Sequence, residues 1–352
     1  MRSNACAWDI GRCSEGSLRQ DLAATLPQLI ASGVNLQRLI LVTDSMAPDD
    51  VAEVGHVDNV VRRAMELGLT PLQAIQSVTL NPAIYSGIEY DVGGIAPGRF
   101  ADMVVLDDLA ACHAREVLIA GKVVARHGVP EVAAKAIQLP QDMLYSLKLG
   151  IEVTPETFKI PAPNAMPRVR VMELVNQTIT AERFVEFSAP SRIVEANPYD
   201  DLLKVAMFDR HHQSRQVAFG FLKGLGAKLG AIGLTTNLDE NTLMIVGSDD
   251  SDMALCANAL LEAGGGIAVV DRGAVLEKLE FPLGGIFSLN PWQEVGKGLR
   301  RIHTRLKEMG SPFDKPIFAL NFLPFVTLPA LRITARGLVN AKERKIVPLF
   351  TD

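Results

Sequence analysis

The stretch 38–43, RLILVT, is an apolar run that gives way at Asp44 to the polar loop SMAPDDVAEVGHVD. A run without polar alternation has no face to offer water, so it reads as a strand covered on both sides, as in a parallel sheet flanked by helices. The residues before it, SLRQDLAATLPQLIASG, place apolar side chains at helical spacing. Ser17 and Gln20 stand where a capping box would, and Gly33 where a helix stops. A helix feeding a buried strand predicts α/β architecture.

Beyond the loop, VVRRAMELG and PLQAIQSVTL predict two more helices. The second has Thr70 as N-cap, Pro71 at the first helical position and Gln73 to complete a capping box, with Asn81-Pro82 as its end. From about residue 91 short β-runs take over: ADMVVLDD, REVLIAG and KVVARHG, the last two joined by a tight turn at Ala120-Gly121. Pro140, Pro155, Pro161, Pro163 and Pro167 then punctuate a stretch without periodicity, read as a linker over the surface. From 168 onward the strands KVAMF, QVAFGFL, TLMIVG, GIAVVD and AVLEKL mix with helices at about 250–262 and 291–309, an α+β pattern. The division is therefore 1–90, 91–130, a linker at 131–167, and 168–352.

With 352 residues, 48% hydrophobic and 21% charged, the chain has material for two real cores. The net charge of −5, with Lys and Arg scattered, offers no basic face for phosphates and argues against a nucleic-acid partner. Cys6, Cys13, Cys112 and Cys256 form no CxxC pair, so reduced thiols and a cytoplasmic location are expected. No apolar run reaches the roughly 18 to 20 residues that span a bilayer, and the opening residues lack the apolar core of a signal peptide.

Asp44 is the sharpest chemical candidate. It sits where an apolar strand meets a polar loop, the position at which barrel enzymes place catalytic side chains. A plain role in capping the next turn is the structural alternative.

The segment LVTDSMAPDDVAEVGHVDNVVRRAMELGLTPLQAIQSVTLNPA, followed by GGIAPGRFADMVVLDDL and VLIAGKVVARHG, resembles the end of an amidohydrolase barrel and its trailing β-module, in the adenine deaminase version. The resemblance implies an α/β remnant of a metal-dependent (β/α)8 amidohydrolase barrel plus a small β-module, with barrel strand 8 at about 38–43. It implies that Asp44 binds the catalytic divalent metal, manganese or iron and alternatively zinc, and moves protons for the attacking hydroxide. The chemistry suits an aspartate: a metal makes hydroxide available near neutral pH, and an adjacent carboxylate carries its proton to the leaving amine. Asp49, Asp50, Glu53, His56 and Asp58 match the family's loop and would line the substrate mouth. As a purely structural feature they form an acidic, helix-capping loop.

The family pattern also needs a His-x-His pair, a mid-barrel acidic residue or modified lysine, and further histidines, none of which precedes Asp44. Only 43 residues precede it, whereas a complete barrel takes about 250. Most metal ligands are thus absent, and these 352 residues alone are expected to be inactive. Two alternatives stand beside a truncated deaminase: the C-terminal half of a split amidohydrolase, and a non-catalytic binding or oligomerisation module. A lone terminal barrel unit exposes an apolar edge, so a partner is expected, either a second copy or a missing N-terminal half.

The stretches FDRHHQSRQVAFGFLKGLGAKLGAIG and MIVGSDDSDMALCANALLEAGGGIAVVDRGAVLEKLEFPLGGIFS resemble the α+β C-terminal domain of adenine deaminases. The substrate so implied is adenine, hydrolysed to hypoxanthine and ammonia. Arg210, His211 and His212 match the family's Arg-His-His stretch. Adjacent histidines in a strand point to opposite faces and cannot both ligate one metal unaided. At 235–242 the chain has TTNLDENT where the family has a segment of the type AHDSHN, so both histidines are missing. SDDSD at 248–252 precedes a helix and reads as its N-cap, and Gly264, Gly265 and Gly266 as a helix C-cap and turn.

Overall fold

The structure, a computed structural model, describes residues 11–17, 20–133, 135 and 137–351. It divides into two compact units, Met1–Ile137 and Gln138–Asp352. Both are mixed α/β. Among the described residues no helix is long and apolar enough to cross a membrane.

In the first unit, strand β1 (Gly11–Ser14) lies parallel to β2 (Leu39–Val42), in register from Gly11 opposite Leu39 to Ser14 opposite Val42. Helix α1 (Leu22–Ala31) connects them, and α2 (Pro48–Val54), α3 (Val57–Glu66), α4 (Pro71–Val78) and α5 (Leu80–Ser86) follow. Leu22, Leu26, Leu39, Leu41, Val60 and Ala64 form the shared core. The apolar run is thus a buried parallel strand, paired with a strand the sequence did not announce.

The capping box at Ser17 and Gln20 does not form. Glu15 bridges to Gln20 and the Asp21 amide donates to the Ser14 carbonyl (2.9 Å), so the backbone turns there and the helix starts at Leu22. The Ser17 hydroxyl instead accepts the Ala47 amide at 2.7 Å. The stop is where it was expected: Gly33 follows the last turn at φ 68° and its amide returns to the Ile30 carbonyl.

At α4 the box is complete, with the Gln73 amide donating to Thr70 Oγ1 (3.3 Å) and the Thr70 amide to Gln73 Oε1 (3.0 Å). Asn81-Pro82 does not end the helical region. A new helix, α5, begins at Leu80, and a proline in a first turn removes only an N–H that has no intrahelical partner. Asn81 Nδ2 donates to the Leu39 carbonyl at 2.7 Å and ties this turn to β2.

The β-module is an antiparallel sheet of β3 (Met103–Leu106), β4 (Ala114–Ile119), β5 (Lys122–Arg126) and β6 (Val129–Pro130), in that order. Ala120 (φ 49°) and Gly121 (φ 73°) make the tight hairpin between β4 and β5. None of the side chains in these strands is fully buried.

The second unit is built on a nine-stranded sheet whose first strand starts at Arg168. Its strands are β8 (Arg168–Leu174), β9 (Thr180–Glu186), β11 (Leu202–Phe208), β12 (Val217–Lys223), β13 (Ala231–Leu234), β14 (Met244–Gly247), β15 (Gly266–Asp271), β16 (Ala274–Glu280) and β20 (Phe350–Thr351). The order is β16-β15-β13-β14-β11-β12-β8-β20, with β9 also on β8, and only β12 and β8 run parallel among these described pairs. Beside it lie the pair β7 (Ile160–Pro161) with β10 (Ile193–Val194), and the small sheet β17 (Leu331–Thr334), β18 (Gly337–Asn340), β19 (Lys345–Val347).

Helix α6 (Asp250–Glu262) covers one face, packing Met253, Cys256 and Leu260 against Ala206, Ile245 and Ala268. Helices α7 (Trp292–Glu308) and α8 (Pro316–Asn321), with β17 and β18, cover the other through Ile302, Leu306, Leu320 and Ile333. Covered on both faces, β11 buries all seven of its residues. The N-cap of α6 is Asp249, which accepts the Asp252 amide at 2.9 Å, and Gly264 and Gly265 return their amides to Leu261 and Leu260.

The stretch 131–167, expected as a surface linker, divides at residue 137. Within the second unit it sinks Leu147, Leu149, Val153 and Phe158 into the α6 layer. Irregular backbone carries no 2.0 or 3.6 period, so its burial left no pattern to read.

Candidate functional site

Asp44 follows the last residues of β2 in a left-handed turn, with φ 51° at Asp44 and 36° at Ser45. Its carboxylate is exposed and accepts the Ser45 hydroxyl at 3.2 Å. The turn is held from below by Gly16: a Cβ there would fall 2.0 Å from the Asp44 carbonyl oxygen and 2.1 Å from that of Thr43. Two supports from the end of β1, Gly16 and the Ser17 hydroxyl, thus fix the loop that carries Asp44.

The neighbouring acids serve helix starts. Asp49 and Asp50 occupy the first turn of α2, behind Pro48, where negative charge suits the helix dipole. Asp49 is buried and Asp50 half-buried. Asp58 accepts the His56 amide (2.7 Å) and pairs with Arg62 (2.8 Å), whose guanidinium also reaches the Val54 carbonyl. Burial pushes the Asp58 carboxyl up, but the His56 amide, Arg62 and the Asn59 amide together outweigh it and hold the group below the usual carboxylate range. Gly55, at φ 98°, leaves room for that carboxylate, which a Cβ would meet at 2.6 Å. His56 is the exposed residue at the start of α3. Among the described residues no group of three or more His, Cys, Asp or Glu is close enough to hold a metal ion. The described residues do not fit a catalytic metal.

In the second unit, Arg210, His211 and His212 lie in the turn after β11, not in a strand. Asp209 makes that turn, its Oδ1 accepting the amides of His211 (3.1 Å) and His212 (3.0 Å). The His212 amide, the Ser214 side chain and the His212 ring outweigh burial and bring the Asp209 carboxyl down to about 2. The two rings diverge. His211 Nε2 lies 2.8 Å from the Glu240 carbonyl, which can only accept, so that nitrogen carries the proton. His212 is exposed, with Nδ1 at 3.4 Å from Asp209.

Arg210 is half-buried and donates to the carbonyls of Gly284 (2.7 Å) and Asn241 (3.2 Å). Burial lowers its pKa. The 235–242 segment packs here with Thr235, Asn237 and Thr242 buried: Thr235 takes the Gly266 amide (2.8 Å) and donates to the Gly285 carbonyl, and Asn237 closes the loop on the Thr242 carbonyl (2.6 Å). Sequence reasoning singled out Arg210 and the histidines but not Glu240 or Gly284. The Asp at the head of Asp-Arg-His-His was the available turn signal.

Residues 177–345 match the family model described as the adenine deaminase C-terminal domain, and residues 2–125 match the amidohydrolase family. Along most of its length the chain is similar to adenine deaminases. It is 34% identical over 340 residues to an adenine deaminase of Clostridium botulinum, covering 96% of this chain and 57% of that one. It is 38% identical over 340 residues to that of Moorella thermoacetica, with the same shares, and 34% over 336 residues to that of Cenarchaeum symbiosum, covering 96% and 55%. The chain therefore spans a little over half the length of the adenine deaminases it matches. An amidohydrolase structure from Thermotoga maritima, 18% identical over 33% of this chain and 37% of that one, superposes with a TM-score of 0.21 and carries no weight.

Proposed function

We propose that this chain is the downstream part of an adenine deaminase, an enzyme that hydrolyses the exocyclic amine of adenine to give hypoxanthine and ammonia. The observation that carries the reading is the ordered match to adenine deaminases across 96% of the chain, through both units. In this reading β1, β2 and their helices are a remnant of the (β/α)8 barrel, β2 is its strand 8, and β3 to β6 are its β-module.

Asp44 is then the catalytic carboxylate. It stands at the carboxyl end of a parallel strand, exposed, in a turn fixed from behind, as a group exchanging protons with a substrate must be. Asp44 takes a proton from the attacking water and returns it to the leaving amine. His56 lines the substrate mouth beside it, with Asp49, Asp50 and Asp58 shaping the helix starts around it. His211 and His212, both exposed, are second-unit candidates for contact with substrate.

The family's divalent metal, manganese or iron and alternatively zinc, needs ligands that the described residues do not assemble. No step is derived through it, and these 352 residues alone are proposed to be inactive. Free Cys13, Cys112 and Cys256 suit a reducing, cytoplasmic setting.

The test is turnover of adenine, followed as hypoxanthine and ammonia. The purified, metal-supplemented chain should give none. Co-expression with a polypeptide carrying the remaining amidohydrolase strands should restore it, and Asp44→Asn in that complex should remove it by about three orders of magnitude or more. Turnover by the chain alone, or full activity of the Asn variant, would overturn the proposal.

The second reading, a non-catalytic oligomerisation module, draws on the β-module, whose strands leave Val104, Ile119 and Val129 exposed. It requires a defined oligomer by light scattering without any metal.

A further inference from the structure

A cleft of about 590 Å3 opens in the second unit over the small sheet β17 to β19, bounded on one side by the 235–242 segment. Its walls include Arg336, Arg344, Glu240, Val326, Val339 and Ile346. Arg336 lies in the turn between β17 and β18 and Arg344 in the turn between β18 and β19, so the two cations stand at opposite ends of β18. Val339 and Ile346 face each other in register between them and give the cleft an apolar floor.

Among the described residues neither guanidinium has a carboxylate within ion-pair distance, although both line the same cleft. Glu240 sits at the Arg336 end: its Oε2 accepts the Ala335 amide at 3.3 Å. One end of the cleft therefore offers an acceptor carboxylate and a donor guanidinium, and the other end the Arg344 guanidinium. From Arg336, just before β18, to Asn340 at its far end is four strand steps, about 14 Å of backbone.

We propose that this cleft binds a nucleoside monophosphate whose base carries N–H donors next to a carbonyl, the edge of an oxopurine. Glu240 accepts the base N–H groups, Arg336 donates to the carbonyl oxygen, the ring lies on Val339 and Ile346, and Arg344 takes the phosphate. The two polar ends on either side of an apolar floor match the polar edge, planar body and phosphate of such a ligand. The site is formed by second-unit residues alone and does not depend on the deaminase reading.

The probe is guanosine monophosphate, with guanosine and adenosine monophosphate as comparisons, titrated calorimetrically into the full chain. Guanosine monophosphate should bind at least about tenfold more tightly than either comparison. Arg344→Ala should lower its affinity to that of guanosine while leaving guanosine unchanged. Arg344 has φ 54°, a strain that alanine bears equally, so this variant should keep the wild-type melting temperature. Glu240→Gln keeps an acceptor for the Ala335 amide but sets a donor against the base, and should weaken both guanine ligands about tenfold or more. Absence of binding at millimolar guanosine monophosphate, or an Arg344→Ala variant with wild-type affinity, overturns the proposal.

Discussion

Replacing Gly16 by alanine tests whether the end of β1 sets the Asp44 turn. The added Cβ would sit 2.0 and 2.1 Å from two backbone carbonyl oxygens, where a carbon and an oxygen normally approach to about 3.3 Å. The strand end must back away by about 1.2 Å, and neither obstacle is a side chain that can rotate aside. Overpacking usually costs about 1–3 kcal/mol, and two rigid backbone obstacles put this case near about 3 kcal/mol. That corresponds to about a hundredfold rise in local opening of the β1–β2 pair. Cys13 reports it: the thiol is on β1, 4% exposed, with its sulfur 3.4 Å from Thr25 Oγ1. Labelling with an alkylating reagent, resolved by peptide mass spectrometry, should modify Cys13 about a hundred times faster in the variant, with Cys256 in the other unit as internal control. A wild-type labelling rate for Cys13 would refute the packing argument and with it the support claimed for Asp44.

Two further outcomes follow from charges in the second unit. Lys204 is fully buried and bonded to Asp250 (2.7 Å) and Glu195 (2.8 Å), so Lys204→Met should destabilise the unit by about 3–5 kcal/mol in urea melts, and adding Asp250→Asn should recover part of that loss. Asp209, held at about 2 against a usual 3.8, contributes stability that is fully present above about pH 4 and is lost as pH falls through 2; urea midpoints should fall over that window, and Asp209→Asn should flatten it.

Local signals with a complete mechanism were legible. The Thr70-Pro71-Gln73 start of α4, the Ala120-Gly121 hairpin and the bounds of α6 each rest on a few neighbouring residues whose requirements do not depend on the rest of the fold. The misses share another cause. Ser17 and Gln20 satisfied the pattern of a capping box, but Ser17 had a competing partner 30 residues away in the Ala47 amide, which no local window contains. Asn81-Pro82 read as a stop because a proline opening a second helix looks the same as one closing the first. The aperiodic stretch ending at 167 hid Leu147 and Phe158, whose burial is dictated by the α6 layer above them.

The site divides along the same line. That Asp44 ends a buried strand could be read from RLILVT; that Gly16 makes its turn possible could not, because the contact joins two segments through backbone atoms. In the second unit the histidines were placed in a strand, and one aspartate accounts for the difference: Asp209 gathers the next amides and ends β11 at Phe208. The departure at 235–242 gains its meaning from the same geometry. Threonine and asparagine there are short enough for their polar atoms to be consumed by backbone groups: Thr235 between the Gly266 amide and the Gly285 carbonyl, Thr242 on the Phe208 carbonyl, Asn237 on its own loop. A segment whose buried polar atoms are all directed at backbone leaves none for a ligand, whereas the Glu240 carboxylate turns outward into the cleft beside Arg336. Thr235, Asn237 and Thr242 thus close the interior of this loop and leave its outer edge as the surface on which recognition can act.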